Sequence, residues 1–364
     1  MLVIDARPIQ NEHRHRGIGR YVQGLLDALV GSPLDGDVRL LVHGDRPIPD
    51  TLTSLRPIVS RRPHLLRYHG GWLADEVLLP LASRGRWQLF HATDPDAVPD
   101  PRLLPLVATI YDLTPRRDPM VWRSMSPDQR LGHRRMVANA RSARAVVTIS
   151  HAVRDEILSE LRLPQDRVHV VYPGIHAAGW QRPEFGPRSG LLFVGAPAPH
   201  KNLPALLEAL QHLPPGDRPR LTVAGPWPAT HVDAFRHSAH TLGIEVSVEA
   251  YADDDRLRQL YGTSSALVVP SRWEGFGLPV LEAMAAGCPV IISSAAALQE
   301  VAGGAAVMVP IDDSDALAGA ILRLLGDADE QAHRTRAGLA RAAEFSWERS
   351  MVALREVYGR AVGG

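Results

Sequence analysis

The chain has 364 residues, of which 45% are hydrophobic and 22% charged, with a formal net charge of zero. This suits a globular protein of two or three domains and argues against disorder. Aromatic residues are only 5% and are not interleaved with the basic ones, which argues against nucleic-acid binding. Residues 1–185 carry 25 Arg against 20 Asp and Glu, whereas residues 186–364 carry 15 basic against 20 acidic residues. The first half is thereby suited to an anionic acceptor or an anionic lipid surface. Cys288 is the only cysteine, so no intrachain disulfide can form and a reducing compartment is expected. It sits in an apolar run and reads as a buried, inert thiol.

The opening Met1-Leu-Val-Ile-Asp5 is too short an apolar stretch for a signal peptide and is expected to enter a strand directly. No run of apolar residues is long enough to span a membrane. Strands are expected over 2–5, 38–43, 87–91, 106–111, 145–150 and 168–172, then over 191–195, 220–225, 245–249, 266–270, 289–293 and 306–310. Helical stretches separate them, so each half reads as an α/β, doubly wound parallel sheet. The Pro- and Gly-rich residues 181–190 read as the linker. The expected domains are 1–182 and 183–344, facing across a cleft that holds the active site. Residues 345–364 are expected to form a helix crossing back onto the first domain.

Two segments of the second half carry the chemistry. From Ser271 to Ile291, Glu274 and Glu282 lie eight residues apart around a glycine-bracketed turn and a short helix. Pro279 suits the first helical position and Gly287 the stop, while no Ser, Thr, Asp or Asn stands ready to cap the start. The backbone N–H groups of Gly275, Phe276, Gly277 and Leu278 are therefore expected to face a diphosphate, helped by the positive helix end. The two carboxylates would accept hydrogen bonds from sugar and ribose hydroxyls. A glutamate in a first helical turn also gains about 0.3–1 kcal/mol from the dipole, but the strand-turn-helix-strand order puts this loop where α/β folds bind ligands. The second segment is His200-Lys201-Asn202 after the 191–195 strand. Lys201 is the only lysine in the chain, and an ammonium at that strand end is placed to neutralise a leaving diphosphate.

Other chemistries fit poorly. Gly17-Ile-Gly19 suggests a dinucleotide loop, but the third glycine would fall at Val22, and the loop lies twelve residues past the first strand. His237 and His240 share a helix face without an acidic partner, so no metal site is expected. His13 and His15 flank Arg14 in a basic loop that suits contact with an acceptor. Arg130, Arg134, Arg135, Arg141 and Arg144 fall on one helix-like stretch, a solvated face or a lipid-phosphate contact.

These residues resemble the retaining glycosyltransferases of family 4, which have the GT-B fold of two Rossmann-like domains. The resemblance runs over nearly the whole chain, through Arg16-Gly-Ile-Gly-Arg-Tyr21, Thr109-Ile-Tyr-Asp-Leu-Thr-Pro115, Val147-Thr-Ile-Ser150, Val171-Tyr-Pro-Gly-Ile175, residues 193–202 and the glutamate segment. It implies that Glu274 holds donor-sugar hydroxyls, Glu282 the ribose and Lys201 the diphosphate, with Gly17 and Gly19 beside the donor phosphates and acceptor. Tyr111 and Asp112 enter as catalytic candidates, His200 as a donor contact, and Arg16 and Arg20 as acceptor-side candidates. Many members have Arg in place of His200 and His in place of Tyr111. The Tyr111 O–H can reach a sugar hydroxyl but is no proton shuttle near neutral pH.

The resemblance is strongest to bacterial mannosyltransferases of surface-polysaccharide assembly. It implies a metal-independent transfer with no cofactor, from GDP-mannose first and UDP-hexoses second, to a glycan or lipid-linked acceptor. A non-catalytic sugar-nucleotide-binding subunit is the alternative. A cytoplasmic location with peripheral contact at the inner membrane face is expected. Acceptor contacts would come from loops such as 11–16 and 65–71.

Overall fold

The computed structural model describes residues 1–15, 17–60, 85–95, 97–175, 177–180 and 187–363. The chain forms two compact units, Met1–Gly174 with Trp347–Gly364, and Ile175–Ser346. The expected boundary at 182/183, the 65–71 loop and Arg16 lie outside the described residues.

In the first unit, strands β1 (Leu2–Asp5), β2 (Val38–His43), β3 (Ile58–Ser60), β4 (Leu89–Ala92), β5 (Leu106–Ile110), β6 (Ala145–Thr148) and β7 (Val168–Val170) make one sheet. Its order is β3-β2-β1-β4-β5-β6-β7, with every pairing parallel. β4, β5 and β6 are buried along their whole length. Helices covering both faces of a parallel sheet produce such unbroken apolar runs. The core joins Val3, Phe90, Leu106, Val146 and Ile157. β3 was not expected: it is a three-residue edge strand following Pro57, and Val59 is half exposed, so it carries almost no pattern.

The second unit repeats the plan. β8 (Leu191–Val194), β9 (Leu221–Ala224), β10 (Val246–Glu249), β11 (Ala266–Val269), β12 (Val290–Ser293) and β13 (Val307–Val309) order as β10-β9-β8-β11-β12-β13, all parallel. Phe193, Leu206, Val223, Val268, Ile291 and Ile321 centre its core. Local chemistry starts the helices. Ser150, Asp253 and Asp313 accept the N–H of Val153, Arg256 and Ala316, each cap contributing about 1 kcal/mol.

The last helix, Trp347–Gly363, packs within the first unit. Its Trp347 ring lies over Gly24, where a Cβ would come within 2.2 Å of Cζ2. The Tyr358 hydroxyl sits 2.7 Å from His91 Nδ1, and His91 Nε2 sits 2.7 Å from Thr109 Oγ1. Complete burial pushes the His91 pKa down to about 3, so the ring is neutral. Arg144 donates to the Ala361 carbonyl at 2.6 Å.

Candidate functional site

The strand order of the second sheet reverses between β8 and β11, which are parallel neighbours. In doubly wound folds, ligands bind at the carboxyl ends of strands at such a point. The loops leaving these two strands carry Lys201 and Glu274. After β8, the turn Pro199–Lys201 ends at Asn202, a left-handed residue with φ 56° that leads into helix Leu203–His212. Asparagine tolerates that conformation better than most side chains.

Lys201 Nζ donates to both Glu274 oxygens, at 2.7 and 2.9 Å. Ser271 Oγ adds a hydrogen bond to Glu274 Oε1 at 2.7 Å, and Ser293 Oγ donates to the Ser271 carbonyl. The backbone is tied as well, through Arg272 N to the His200 carbonyl at 2.8 Å and Asn202 Nδ2 to the Pro270 carbonyl at 3.2 Å. Asp312, beyond β13, accepts from Asn202 Nδ2 at 2.9 Å and from Arg272 Nε at 2.9 and 3.1 Å. Three loops are thus bound into one rim. The Lys201 and Glu274 side chains are 18% and 10% exposed, shielded but open to solvent on one side.

Helix Leu278–Ala285 starts from Gly277, whose φ of 107° suits glycine, and no side chain caps it. A Cβ on Gly277 would also lie 2.8 Å from Leu298 Cδ2. Leu278 takes the first helical position, so Pro279 is second rather than first. Gly287, with φ 65°, follows the helix end as expected. Phe276 is buried edge-on against Phe345 at 5.7 Å, which anchors the segment before the helix. The positive end of this helix therefore follows directly on the loop that holds Glu274.

Glu282 is fixed by a tyrosine. It is buried, and Tyr261 donates its hydroxyl to Oε2 at 2.9 Å. The Trp180 ring meets Tyr261 edge-on at 5.7 Å. The His200 ring stacks on Trp273 with centroids 5.6 Å apart. Cys288 is buried, its thiol pushed up to about 11 by burial, in keeping with an inert role.

The remaining candidates belong to the first unit. Gly17 and Gly19 form the first turn of helix Gly17–Leu29 rather than a loop. A Cβ on Gly19 would stand 2.4 Å from the His13 carbonyl, so close packing against the turn Glu12–His15 demands glycine. Arg20 is half-buried on that helix. Tyr111 is buried, and its hydroxyl donates to the Thr93 carbonyl at 2.9 Å. Burial first, with nearby Tyr21 and carboxylates, holds that hydroxyl well above its ordinary pKa. Asp112 is exposed and accepts the Thr114 N–H at 2.8 Å, turning the chain into the next helix.

Sequence reasoning assigned no role to Ser271, Asn202, Tyr261 or Asp312. Ser271 and Asn202 had a local signal, being a hydroxyl three residues before Glu274 and an amide next to Lys201. Tyr261 and Asp312 reach the site only through the fold.

A family model described as Glycosyltransferase Family 4 matches residues 15–178, and one described as Glycosyl transferases group 1 matches residues 180–341. The sucrose-phosphate synthase of Thermosynechococcus elongatus has a similar structure, with a TM-score of 0.79 at 18% identity over 99% of this chain and 98% of that one. The chain belongs to the GT-B glycosyltransferases. Among curated relatives of this GT-B chain, O-antigen chain mannosyltransferase B of Escherichia coli is 32% identical over 57% of this chain and 58% of that protein. O-antigen chain mannosyltransferase RfbU of Salmonella typhimurium is 26% identical over 81% of each. The chain spans less than two thirds of the length of the first curated relatives it matches.

Proposed function

We propose that this GT-B protein transfers mannose from GDP-mannose, with retention of configuration and without a metal or other cofactor, to a hydroxyl of a glycan or lipid-linked acceptor. The observation that carries the reading is the Lys201–Glu274 pair at the switch point of the second sheet, in the loop leading to a helix start that no side chain caps. A leaving diphosphate gathers negative charge as the glycosidic bond breaks. Lys201 and the first-turn N–H groups supply fixed positive charge for it, which favours the transition state without a strong protein base. Glu274, turned by Ser271, accepts hydrogen bonds from the sugar, and Glu282, fixed by Tyr261, is assigned to the ribose. In a retaining route of this kind the departing phosphate takes the acceptor proton. The Tyr111 hydroxyl already donates to Thr93, so its assigned sugar contact would use the oxygen as acceptor. Mannose is favoured because the relatives named above are mannosyltransferases.

In the same proposal the protein works at the cytoplasmic face of the membrane as a peripheral protein. Among the described residues no helix is long and apolar enough to cross a membrane. A screen of nucleotide-sugars by thermal shift and donor turnover tests the donor, NMR of the product anomer tests retention, and a chelator tests metal independence. Consumption of GDP-mannose unaffected by chelator, giving the α product, is the expected result. Binding of a nucleotide-sugar with no turnover of any would replace the enzyme by a sugar-nucleotide-binding subunit.

A further inference from the structure

The residues just before Lys201 and Glu274 form a second pair, and this one is aromatic. His200 precedes Lys201 in the loop after β8, and Trp273 precedes Glu274 in the loop after β11. Their rings stack with centroids 5.6 Å apart and 23° between the planes. Near-parallel rings at this distance are offset, an arrangement that is favourable beyond the area it buries. Trp273 Nε1 is buried and has no hydrogen-bond partner among the described residues. A buried indole N–H usually finds one, so this ring is held by its face and not by its donor. The backbone beneath is joined as well: Arg272 N donates to the His200 carbonyl at 2.8 Å and Arg272 Nη1 to the Pro199 carbonyl at 3.4 Å.

The stack can do what the ion pair beside it cannot. Without a donor, Lys201 and Glu274 hold each other at 2.7 and 2.9 Å. Transfer asks both to turn outward, Lys201 to the diphosphate and Glu274 to the sugar hydroxyls. Sharing the ammonium with a phosphate loosens the link between the two loops just when their spacing matters most. A misplacement of about 1 Å there can cost on the order of a hundredfold in rate. A ring stack is not drawn off by an incoming anion. The ties of Asn202 and Arg272 to Asp312 fix the rim from its outer side. The two rings act closer in, each one residue from the ammonium or the carboxylate.

We propose that the His200–Trp273 stack is a positioning device that keeps Lys201 and Glu274 at transfer geometry while the donor separates their charges. His200 acts through its ring face on Trp273, in place of a positive charge on the diphosphate. The inference rests on the transfer reading above and assigns these two residues within it. The test is steady-state turnover by the full chain, with kcat and KM separated, of GDP-mannose or of whichever nucleotide-sugar the wild type consumes. His200→Gln keeps a polar side chain but loses the ring, and Trp273→Leu keeps apolar bulk but loses the stack. Each should lower kcat about two- to tenfold, the size of one aromatic pair, with little change in donor KM. His200→Phe restores the ring without its nitrogens and should recover most of the kcat lost in His200→Gln. His200→Gln with Trp273→Leu should lose no more than the worse single variant, because both remove the same interaction. The melting shift given by GDP should stay near that of the wild type in all of them.

Donor KM rising alike in His200→Phe and His200→Gln would overturn the proposal and make the His200 nitrogens a donor contact, with the transfer reading left standing. Losses that multiply in the double variant would overturn the coupling of the two rings. A lower melting temperature with unchanged kcat would overturn it too, reducing the stack to a structural contact. No turnover of any nucleotide-sugar by the wild type would overturn the transfer reading together with this one.

Discussion

Removing the Glu274 carboxylate deletes the acceptor for Lys201 and Ser271 at once, yet Glu274 is not part of the hydrophobic core. Glu274→Ala should therefore leave the melting temperature nearly unchanged and lower turnover on the order of a hundredfold or more, as measured with saturating donor. Ser271→Ala removes one hydrogen bond to a charged group and should cost roughly tenfold in kcat with a smaller change in KM. Equal losses in the two variants would mean that Ser271 does more than orient the carboxylate. Gly277→Ala forces a side chain into a left-handed backbone position and against Leu298, and should destabilise the second unit by about 1–3 kcal/mol in denaturant titration. The central pair was legible in the sequence because Lys201 is unique and Glu274 sits in a glycine-rich turn after an apolar run. Asp312 was not legible. Its ties to Asn202 and Arg272 span 110 and 40 residues, and no periodicity reports such a contact. For Tyr111 the residue type left the direction of the hydroxyl open, and the fold turns it onto the Thr93 carbonyl.

At the level of elements, the alternation of apolar runs and helical stretches located twelve of the thirteen strands among the described residues, since parallel strands buried on both faces have little freedom in composition. The glycines around residue 17 were harder to read. Gly17 and Gly19 look like a loop, but the close approach of the His13 carbonyl explains Gly19 inside a helix. The same reasoning makes Gly24→Ala a test of how the terminal helix packs. The added methyl meets the Trp347 ring, and overpacking there should cost about 1–3 kcal/mol in thermal or denaturant unfolding. A variant as stable as wild type would show that the Trp347 ring can move away freely.

The His91 contact with Tyr358 gives this packing a pH dependence. The folded-state pKa of His91 is lowered from 6.5 to about 3, so between those values the unfolded chain binds the extra proton. Stability from this group is complete above pH 6.5 and falls as pH drops toward 3, by at most about 1.4 kcal/mol per pH unit. His169, also lowered chiefly by burial, acts with the same sign. In His91→Asn the slope of stability with pH over that window should flatten, and an unchanged slope would place the titration elsewhere.

Across the whole molecule, two sheets of the same winding build two units, and the charge excess noted in the sequence separates them in kind. The second unit concentrates a lysine, glutamates and an uncapped helix start at one switch point. The first gathers arginines and exposed apolar side chains on helices beyond β5. A zero net charge thus hides two units of opposite charge. Ligand linkage follows directly: GDP or a GDP-sugar bound at the second unit should raise its melting temperature, and Lys201→Ala should remove most of that rise. The most direct test of the central claim is the rate of GDP-mannose consumption by the wild-type chain and by Glu274→Ala at equal folded concentration. Consumption by the wild type and almost none by the variant is predicted. Near-equal rates, or a wild type that turns over no nucleotide-sugar, would contradict the account.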